Sequence, residues 1–513
     1  MAAAAASMAR FTLLGLLLTG ACGGDDDGGP AGPDAGAAAD AGDQPDASGV
    51  ATRTVTGVMM RAHVTPGGVE EVPVDLTGST IAALTPPAFD VHAGTGDALG
   101  RFTIPDVPVG TYYLQVDDRF VVTSEDSVDL GHTTLGRPDA VAATIQPTDL
   151  VFDVDNLAPW QPFGDELQMF SAGSGTIGFS LQSRASSGIP EEGNTALAGF
   201  TYDLAAAEGP MLVDGDAGDE LYLTQLSLTD DGVNLYRRVT RVLIPEPFTM
   251  TDGDATSLAG SFADVEETDT FAVDWDRPAF DAALRAGAPL EEIASSPTLG
   301  LHTLPAAAER GFYYDSADII QLSPGWTDDV SEVQASWGFG DPYPDAWTRM
   351  VSAGLVTYRY RGVDGAEPRP LYSAIMVDLP SSAVSPETAI EPVIGPVRSP
   401  LVAGHDAFES IEGLEAMPVV SWQPPAVGAA TSYAVWVIVL VAADGYTYGY
   451  RAAVLITTDT QITVPPGVLV PGGTYYFVIE AVHAPGVDAA AEPNRELLPH
   501  AYSFVSTEPD TTL

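Results

Sequence analysis

The chain has 513 residues, of which 71 are Asp or Glu and 20 are Lys or Arg, so its formal net charge is −51. All 20 basic residues are arginines. Phosphate-binding loops, protein-kinase sites and Schiff-base chemistry therefore lack a required lysine. Such an acidic chain repels nucleic acid, because binding to phosphates depends on basic side chains that release counterions. We therefore exclude nucleic acid as a partner.

The first 21 residues have the pattern of an export signal. Arg10 is followed by an apolar run, residues 11–18, and small residues then lead to Cys22. The run is too short to span a membrane. The pattern resembles a bacterial lipoprotein signal, and this resemblance implies that Cys22 receives lipid and becomes the mature N-terminus. An ordinary secretory signal peptide is the alternative.

The residues after the signal cannot form a folded core. Cys22 is the only cysteine, and residues 23–49 consist of 8 Gly, 7 Asp, 7 Ala and 3 Pro with one Gln and one Ser. The mature chain therefore has no internal disulfide, and we predict that residues 22–51 are a disordered tether. We expect a location in the cell envelope, with the lipid on Cys22 as the contact to the outer membrane or cell surface.

From residue 52 onward, the sequence predicts an all-β fold. Short runs of alternating apolar residues are separated by Gly, Pro, Asp and Asn clusters. At roughly 100 to 200 residues per domain, this length predicts serial β-sandwich modules over 52–147, 148–390 and 391–513. The middle region fits either one large sandwich or two small ones.

The first unit contains a strand–turn–strand motif. Phe102 and Ile104 alternate on one strand, Gly110 marks a turn, and Tyr112 and Leu114 alternate on the next strand. The motif resembles the hairpin of the carboxypeptidase-regulatory-like, or prealbumin-like, sandwich. This resemblance implies a spacer or interaction module without chemistry of its own.

The last unit carries a tryptophan and a tyrosine at informative positions. Trp422 lies in an apolar strand just before a proline pair, and Tyr475 begins a run of apolar residues at a spacing of two. The pattern is similar to that of a fibronectin type III domain. This resemblance implies that Trp422 belongs to the core and that the hydroxyl of Tyr475 bonds backbone near the start of its strand.

The middle region resembles no family, but it contains one predicted helix. Asp276 is suited to the N-cap, Pro278 to the first turn and Gly287 to the end of the helix. Phe280 and Leu284 then fall on one face. We predict a short amphipathic helix in this otherwise β-rich region.

Asp-rich turns in the middle region are candidates for ion binding. One of them contains Asp214, Asp216, Asp219 and Glu220. Calcium takes about six to eight oxygen ligands from flexible loops, and alternating Asp on a turn presents several at once. The loop lacks the EF-hand pattern. Calcium is therefore the one cofactor to test, and ordinary surface turns are the alternative.

Aromatic residues are dense in the second half of the middle region. Trp337, Tyr343 and Trp347 stand in a Gly- and Pro-rich stretch that is predicted to be loop, together with Asp341 and Asp345. Rings on a loop offer flat apolar area, and carboxylates accept hydrogen bonds from hydroxyls. The stretch therefore predicts a sugar-stacking platform or a peptide groove. The alternative is a loop folded back over a core.

The sequence predicts no catalytic residue. The seven histidines lack the spacing of a zinc pair, and no nucleophile motif is present. We expect an exported, lipid-anchored surface protein with a non-catalytic binding or structural role, whose partner is a glycan or another surface protein. The alternative is a secreted carbohydrate-active hydrolase with accessory sandwiches, in which Asp341 and Asp345 would be the paired acids.

Overall fold

The structure is a computed structural model that describes residues 51–207, 211–288, 295–305, 316–322, 330–363 and 365–513. The predicted signal, Cys22 and the tether up to residue 50 lie outside the described residues. Strands dominate the described chain, so the prediction of an all-β fold is confirmed. None of its helices is both long and apolar enough to cross a membrane.

The first predicted unit consists of short strands. They are β1 (Thr52–Val58), β2 (Met60–Thr65), β3 (Gly68–Pro73), β4 (Ile81–Thr85), β5 (Asp90–Ala93), β6 (Thr95–Gly96), β7 (Arg101–Pro108), β8 (Tyr112–Val116), β9 (Arg119–Thr123), β10 (Ser127–Asp129) and β11 (His132–Leu135). The sheet β10-β1-β7-β6 packs against strands β5, β4, β8 and β9, and β11-β2-β3 form a smaller sheet. Because side chains alternate along a strand, Phe102 and Ile104 enter the core from one layer and Tyr112 and Leu114 from the other.

The motif around Gly110 is an arch between the two layers and not a hairpin. Strand β7 pairs with β1 and β6, whereas β8 pairs with β4 and β9. The strand–turn–strand prediction is confirmed, but the expected pairing of the two strands is wrong. The turn, where Gly110 has a φ of 138°, carries the chain to the facing layer, so both strands contribute side chains to the same core.

The described residues of the middle region form strands, two α-helices and three single-turn 3-10 helices. The strands are β12 (Asp149–Asp155), β13 (Glu166–Ser171), β14 (Thr176–Gly178), β15 (Ala196–Asp203), β16 (Tyr222–Asp230), β17 (Leu235–Leu243), β18 (Ala255–Ser261), β19 (Ala263–Asp264), β20 (Asp269–Trp275), β21 (Ser296–Leu304), β22 (Ala317–Leu322), β23 (Val333–Phe339), β24 (Thr348–Arg361) and β25 (Arg369–Pro380). The α-helices are α1 (Leu181–Arg184) and α2 (Arg277–Gly287).

Two cores lie on opposite faces of a shared sheet in this region. The sheet β15-β12-β18 packs against β13 and β16 around one core, to which Phe152, Phe200 and Met169 belong. Phe170 and Tyr222 point from the other face of β13 and β16 into a second, larger core. The sheet continues from β17 through β22, β21 and β24 to β25. The middle region is therefore built around two cores.

Helix α2 forms where the sequence predicts it. The carboxylate of Asp276 accepts a hydrogen bond from the backbone N–H of Ala279 at 2.9 Å, as expected of an N-cap. Phe280 and Leu284 are fully buried on the face that packs onto the sheet. Gly287 is the last helical residue. The helix prediction is confirmed.

The last predicted unit is again built of strands. They are β26 (Arg398–Val402), β27 (His405–Asp406), β28 (Glu412–Leu414), β29 (Val419–Gln423), β30 (Ser432–Ala443), β31 (Tyr446–Thr457), β32 (Gln461–Thr463), β33 (Thr474–His483), β34 (His500–Ser506) and β35 (Asp510–Thr512). The sheet β27-β26-β29-β32 packs against β31, β30 and β33.

Trp422 and Tyr475 occupy the core and corner positions that the sequence predicts. The Trp422 ring is buried against Tyr433, with the ring centroids 5.2 Å apart. The hydroxyl of Tyr475 accepts a hydrogen bond from the backbone N–H of Val470 at 2.9 Å. Both side chains therefore serve the packing of this sandwich.

The predicted units share sheets with one another. Strand β25 of the middle region pairs with β34, and β9 of the first unit pairs in parallel with β31. Val454 and Ile456 of β31 enter the core of the first unit. The guanidinium of Arg451 also donates to Asp118 at 2.8 Å. The first and last units are thus in contact, although the middle region separates them in sequence.

Candidate functional site

The predicted calcium ligands are engaged in the protein's own hydrogen bonds. Asp219 is buried, and its carboxylate accepts from the Arg137 guanidinium at 3.2 Å and from the backbone N–H of Asp214 at 2.9 Å. Asp214 accepts from the backbone N–H of Asp216 at 3.0 Å, and Glu220 accepts from a tyrosine hydroxyl at 3.1 Å. Hydrogen-bonded carboxylates of this kind shape a turn without a cation.

Among the residues that the structure describes, no group of three or more His, Cys, Asp or Glu side chains is placed to hold a metal ion. Calcium binding stays a prediction from the sequence. It would show as a higher melting temperature in millimolar calcium than in chelator, because a ligand of the native state raises stability.

Tyr343 and Trp347, which the sequence predicts on a ligand platform, are core residues. They are 4% and 8% exposed, and their rings are near parallel with centroids 5.5 Å apart. Trp347 also packs against Phe170 and Tyr222, at 5.8 and 5.9 Å. Since both rings are enclosed by the core, the prediction of an exposed platform is wrong for them. Strands β13 and β16 carry the aromatic side chains against which these rings pack, and this apolar contact explains their burial.

Trp337 lies on a strand and not on a loop. It pairs through β23 with Phe271 of β20 and is 1% exposed. Its ring stacks on Tyr236 with centroids 4.6 Å apart, and its indole N–H donates to the carboxylate of Asp231 at 2.7 Å. The loop prediction is therefore wrong at this position. The side chain of Trp337 connects β23 with Tyr236 and Asp231 in the hairpin of β16 and β17.

The two acids in this stretch have different surroundings. Asp341 accepts from the backbone N–H of Tyr343 at 3.0 Å and from Arg349 at 2.8 Å. Arg349 also donates to Asp269 at 2.8 Å. Asp345 is exposed on the turn that follows. Asp341 thus positions a turn and an arginine, and the rings of Tyr343 and Trp347 in the same stretch are buried.

A row of polar side chains, which sequence spacing did not reveal, crosses the shared sheet. Strand register places Asp318 opposite His302, Ser352 opposite Asp378, and Asp378 opposite His500. The Nδ1 of His302 lies 2.7 Å from Asp318 Oδ1, and the Ser352 hydroxyl donates to Asp378 at 2.5 Å. Opposite residues of neighbouring strands share a face.

Gly300 connects the two halves of this row. It lies opposite Ser352 and two residues before His302, so these side chains are on the same face of the sheet. The ring of His302 leans over Gly300, where a Cβ would lie 2.3 Å from its Nε2. A residue larger than glycine would therefore displace the histidine.

The row ends in a group of buried ionisable side chains. Burial lowers the pKa of His500, but the carboxylates of Asp378, Glu496 and Glu480 more than offset this, so that its pKa is raised above the usual value. Burial also raises the pKa of Glu480. Burial, with Glu480 and Asp378 nearby, raises the pKa of Glu496 to about 7. Glu480 and Glu496 therefore hold protons more readily than exposed carboxylates do.

Chemically, the row is suited to holding protons rather than to nucleophilic attack. Ser352 donates to a carboxylate, whereas an activated serine donates to a histidine that takes its proton. The indole N–H of Trp436 donates to Glu480 at 3.1 Å. In both hydrogen bonds the acceptor is a carboxylate, so Ser352 is not paired with a histidine as in a Ser-His-Asp triad.

The connection between β33 and β34, residues 484–499, contributes one member of this group and also contacts the first unit. The hydroxyl of Thr123 donates to the backbone carbonyl of Ala490 at 2.9 Å, and Asn494 donates to the carbonyl of Leu130 at 2.8 Å. Glu496 lies in the same connection. The ionisable group is thus located where the last unit meets the first.

One local signal could have pointed to this group. Asp378 follows the apolar run Ile375-Met376-Val377, and Glu480 follows Phe477-Val478-Ile479. An acid inside an apolar strand is almost never fully buried unless it is paired. Such acids could have been marked as members of a buried polar group, but their partners depend on strand register.

The hairpin of β30 and β31 carries a second feature that we did not predict. Tyr446, Tyr448 and Tyr450 alternate along β31, and they are 53%, 39% and 55% exposed. Val441, opposite Tyr448, is 40% exposed on the same side. These four side chains, here called the tyrosine face, form an exposed apolar surface of the kind that marks interaction sites.

The sequence matches no protein-family model and no curated protein. Among solved structures, the tetra-tandem repeat in the extending region of a large adhesion protein aligns over 89% of this chain and 98% of that chain. The alignment has 11% identity and a TM-score of 0.08. At that TM-score the alignment supports no conclusion about fold or function.

Proposed function

We propose that this chain is an exported surface protein, attached to the cell envelope by lipid on Cys22, with a non-catalytic binding role. The sequence supports the anchor: Cys22 is the sole cysteine, it follows an apolar run, and residues 23–49 cannot form a core. A single lipid chain gives only weak membrane attachment, whereas two or more chains on the same cysteine give stable attachment. The outer units serve as prealbumin-like and fibronectin type III-like modules in this proposal.

The observation that carries the binding role is the tyrosine face. Large side chains that remain exposed on a strand add nothing to the core, and tyrosine is enriched where proteins contact partners. The hairpin of β30 and β31 carries the tyrosine face, and shared sheets connect this hairpin to the first unit and the middle region. The hairpin is thus supported by a continuous β framework, which a flexible tether would hold clear of the membrane.

The hydrolase alternative has lost the observation that motivated it. It rested on exposed rings beside Asp341 and Asp345, whereas Tyr343 and Trp347 are buried and Asp341 is paired with Arg349. We therefore do not propose a glycan-cleaving activity. A binding partner is the simpler use of the exposed side chains that remain.

Replacement of Cys22 tests the anchor. We expect the Cys22→Ala variant to leave the membrane fraction, whereas Asp25→Ala, a change in the neighbouring tether, should remain in it. Metabolic labelling with palmitate should mark the wild type and not the Cys22→Ala variant. A Cys22→Ala protein that stays in the membrane fraction would contradict the anchor.

A further inference from the structure

The sheet that covers the rest of β30 does not extend over the tyrosine face. Val435 and Val437 are fully buried under β26, β29 and neighbouring elements. Further along the same side of the strand, Val439 is half-buried and Val441 is exposed. Tyr450 and Tyr448 lie directly opposite these two valines. The core-facing side of the hairpin therefore continues past its own sandwich.

The charges at the end of this hairpin are acidic. Asp444 is exposed in its turn, and Glu367 is exposed where its backbone pairs with the turn: its N–H donates to Gly445 at 2.7 Å and its carbonyl accepts from Thr447 at 2.9 Å. We call Asp444 and Glu367 the acidic tip. Tyr446, the first residue of the tyrosine face, forms a β-bridge with Glu367 and stands two residues after Asp444.

Two arginines beside the hairpin are directed away from the tyrosine face. Arg451 is the only basic residue in 443–451, and its guanidinium donates to Asp118 at 2.8 Å. The guanidinium of Arg369 lies over Gly449, which faces the opposite side of the strand from Tyr448 and Tyr450. The tyrosine face is therefore bordered by carboxylates at its tip, in a chain with a net charge of −51.

We propose that the tyrosine face and the acidic tip bind a basic segment of another polypeptide. This inference rests on the proposed surface role and specifies its partner. Arginine and lysine are attracted to the faces of aromatic rings, and arginine also forms paired hydrogen bonds with carboxylates. The chain uses the first contact itself, since Arg53 lies 5.3 Å from the ring centroid of Tyr112.

Charge complementarity favours this partner over a neutral glycan. A neutral sugar would use the rings, but it would leave the acidic tip without a counterpart. An anionic partner would be repelled by the tip and by the charge of the whole chain. A cationic segment satisfies both features, and long-range attraction would also speed its association.

The test is binding of a fluorescein-labelled octa-arginine peptide to the purified full chain, with octa-glutamate and neutral laminarihexaose as comparison probes. We expect octa-arginine alone to bind with high affinity. Because two ring contacts are lost, Tyr448→Ala/Tyr450→Ala should bind it about fivefold to tenfold more weakly. The Tyr448→Phe/Tyr450→Phe variant keeps both rings and should bind like the wild type.

Two further variants separate this site from general attraction to an acidic protein. Asp444→Asn/Glu367→Gln should weaken octa-arginine binding and reduce its dependence on salt. Tyr360→Ala removes an exposed tyrosine from a different strand and should have no effect. Unchanged affinity in the Tyr448→Ala/Tyr450→Ala variant would overturn the proposal, as would laminarihexaose binding that this variant abolishes. The assay uses purified protein, so its result is independent of the anchor.

Discussion

Asp378 and His500 lie directly opposite each other on β25 and β34, with 3.9 Å between the carboxylate Oδ2 and the imidazole Nδ1. Both side chains are almost completely buried. Strand β25 belongs to the middle region and β34 to the last unit, so this pair lies at the seam of two predicted units. Glu480 and Glu496 add two more carboxylates to the same place.

The contribution of Glu496 to stability should fall as the pH rises from about 4.5 to about 7. The pKa of Glu496 is raised from 4.5 to about 7, so the native state keeps a proton that the unfolded chain has lost. Its stabilising effect is present below pH 4.5 and is lost as the pH passes the native pKa. Glu496→Gln should therefore raise the free energy of unfolding at pH 8 by on the order of 2 kcal/mol.

Urea denaturation at pH 5 and pH 8 measures this effect. The matched control is Glu492→Gln in the same connection, which should leave the difference between the two pH values unchanged. Raised pKa values at Glu480 and His500 act in the same direction. A Glu496→Gln protein with the wild-type pH dependence would contradict the assignment.

The contribution of His132 to stability should increase as the pH rises, which is opposite to the contribution of Glu496. Burial, helped by the charges of Arg61 and Arg119, lowers the pKa of His132 to about 4. The Nε of Arg61 donates to its Nε2 at 3.4 Å, a bond that requires the neutral ring. The unfolded chain takes up this proton near pH 6.5, so the stabilising effect is present above pH 6.5 and disappears as the pH falls toward 4.

Replacement of His132 by Gln should remove this loss of stability at acid pH. On acidification from pH 6.5 to 4.5, we expect the melting temperature of His132→Gln to fall less, or rise more, than that of the wild type. The exposed residue His405 offers a control, since His405→Gln should preserve the wild-type profile. Equal profiles for wild type and His132→Gln would contradict the lowered pKa of this histidine.

Among the charged residues where β24 meets the end of the chain, Glu508 should cause the largest loss of stability when it is replaced. Its two oxygens accept from Arg359 and from Arg361, each at 2.5 Å, and Glu508 and Arg359 are buried. Glu508→Ala would remove the carboxylate that neutralises the buried Arg359, and we expect a loss of about 3 to 5 kcal/mol in the free energy of unfolding. Arg495→Ala removes a more exposed ion pair and should cost less than about 1 kcal/mol.

Trp347→Ala distinguishes a core ring from a ligand-binding ring. Because Trp347 packs against Phe170, Tyr222 and Tyr343, its truncation should lower the free energy of unfolding by about 3 to 5 kcal/mol. Tyr450→Ala, on the exposed hairpin, should change it by less than about 0.5 kcal/mol. Similar small effects at both positions would place Trp347 at the surface.

The sequence alone determined those features that depend on neighbouring residues. Alternation at a spacing of two identified the strands that carry Phe102, Ile104 and Tyr475, and the capping side chain of Asp276 identified the start of α2. These features are local, because strand alternation and helix capping require only residues within one or two turns of each other. The core position of Trp422 was instead implied by the resemblance to a fibronectin type III domain, and the structure places its ring in a core.

Only the tertiary structure decided which side chains are exposed and which meet across strands. Trp347 and Tyr450 both lie in aromatic-rich segments, yet a facing sheet encloses the first ring and ends before it reaches the second. Asp378 and His500 are more than a hundred positions apart and meet through strand register. Register and the extent of a facing sheet are long-range properties of packing, which local periodicity does not encode.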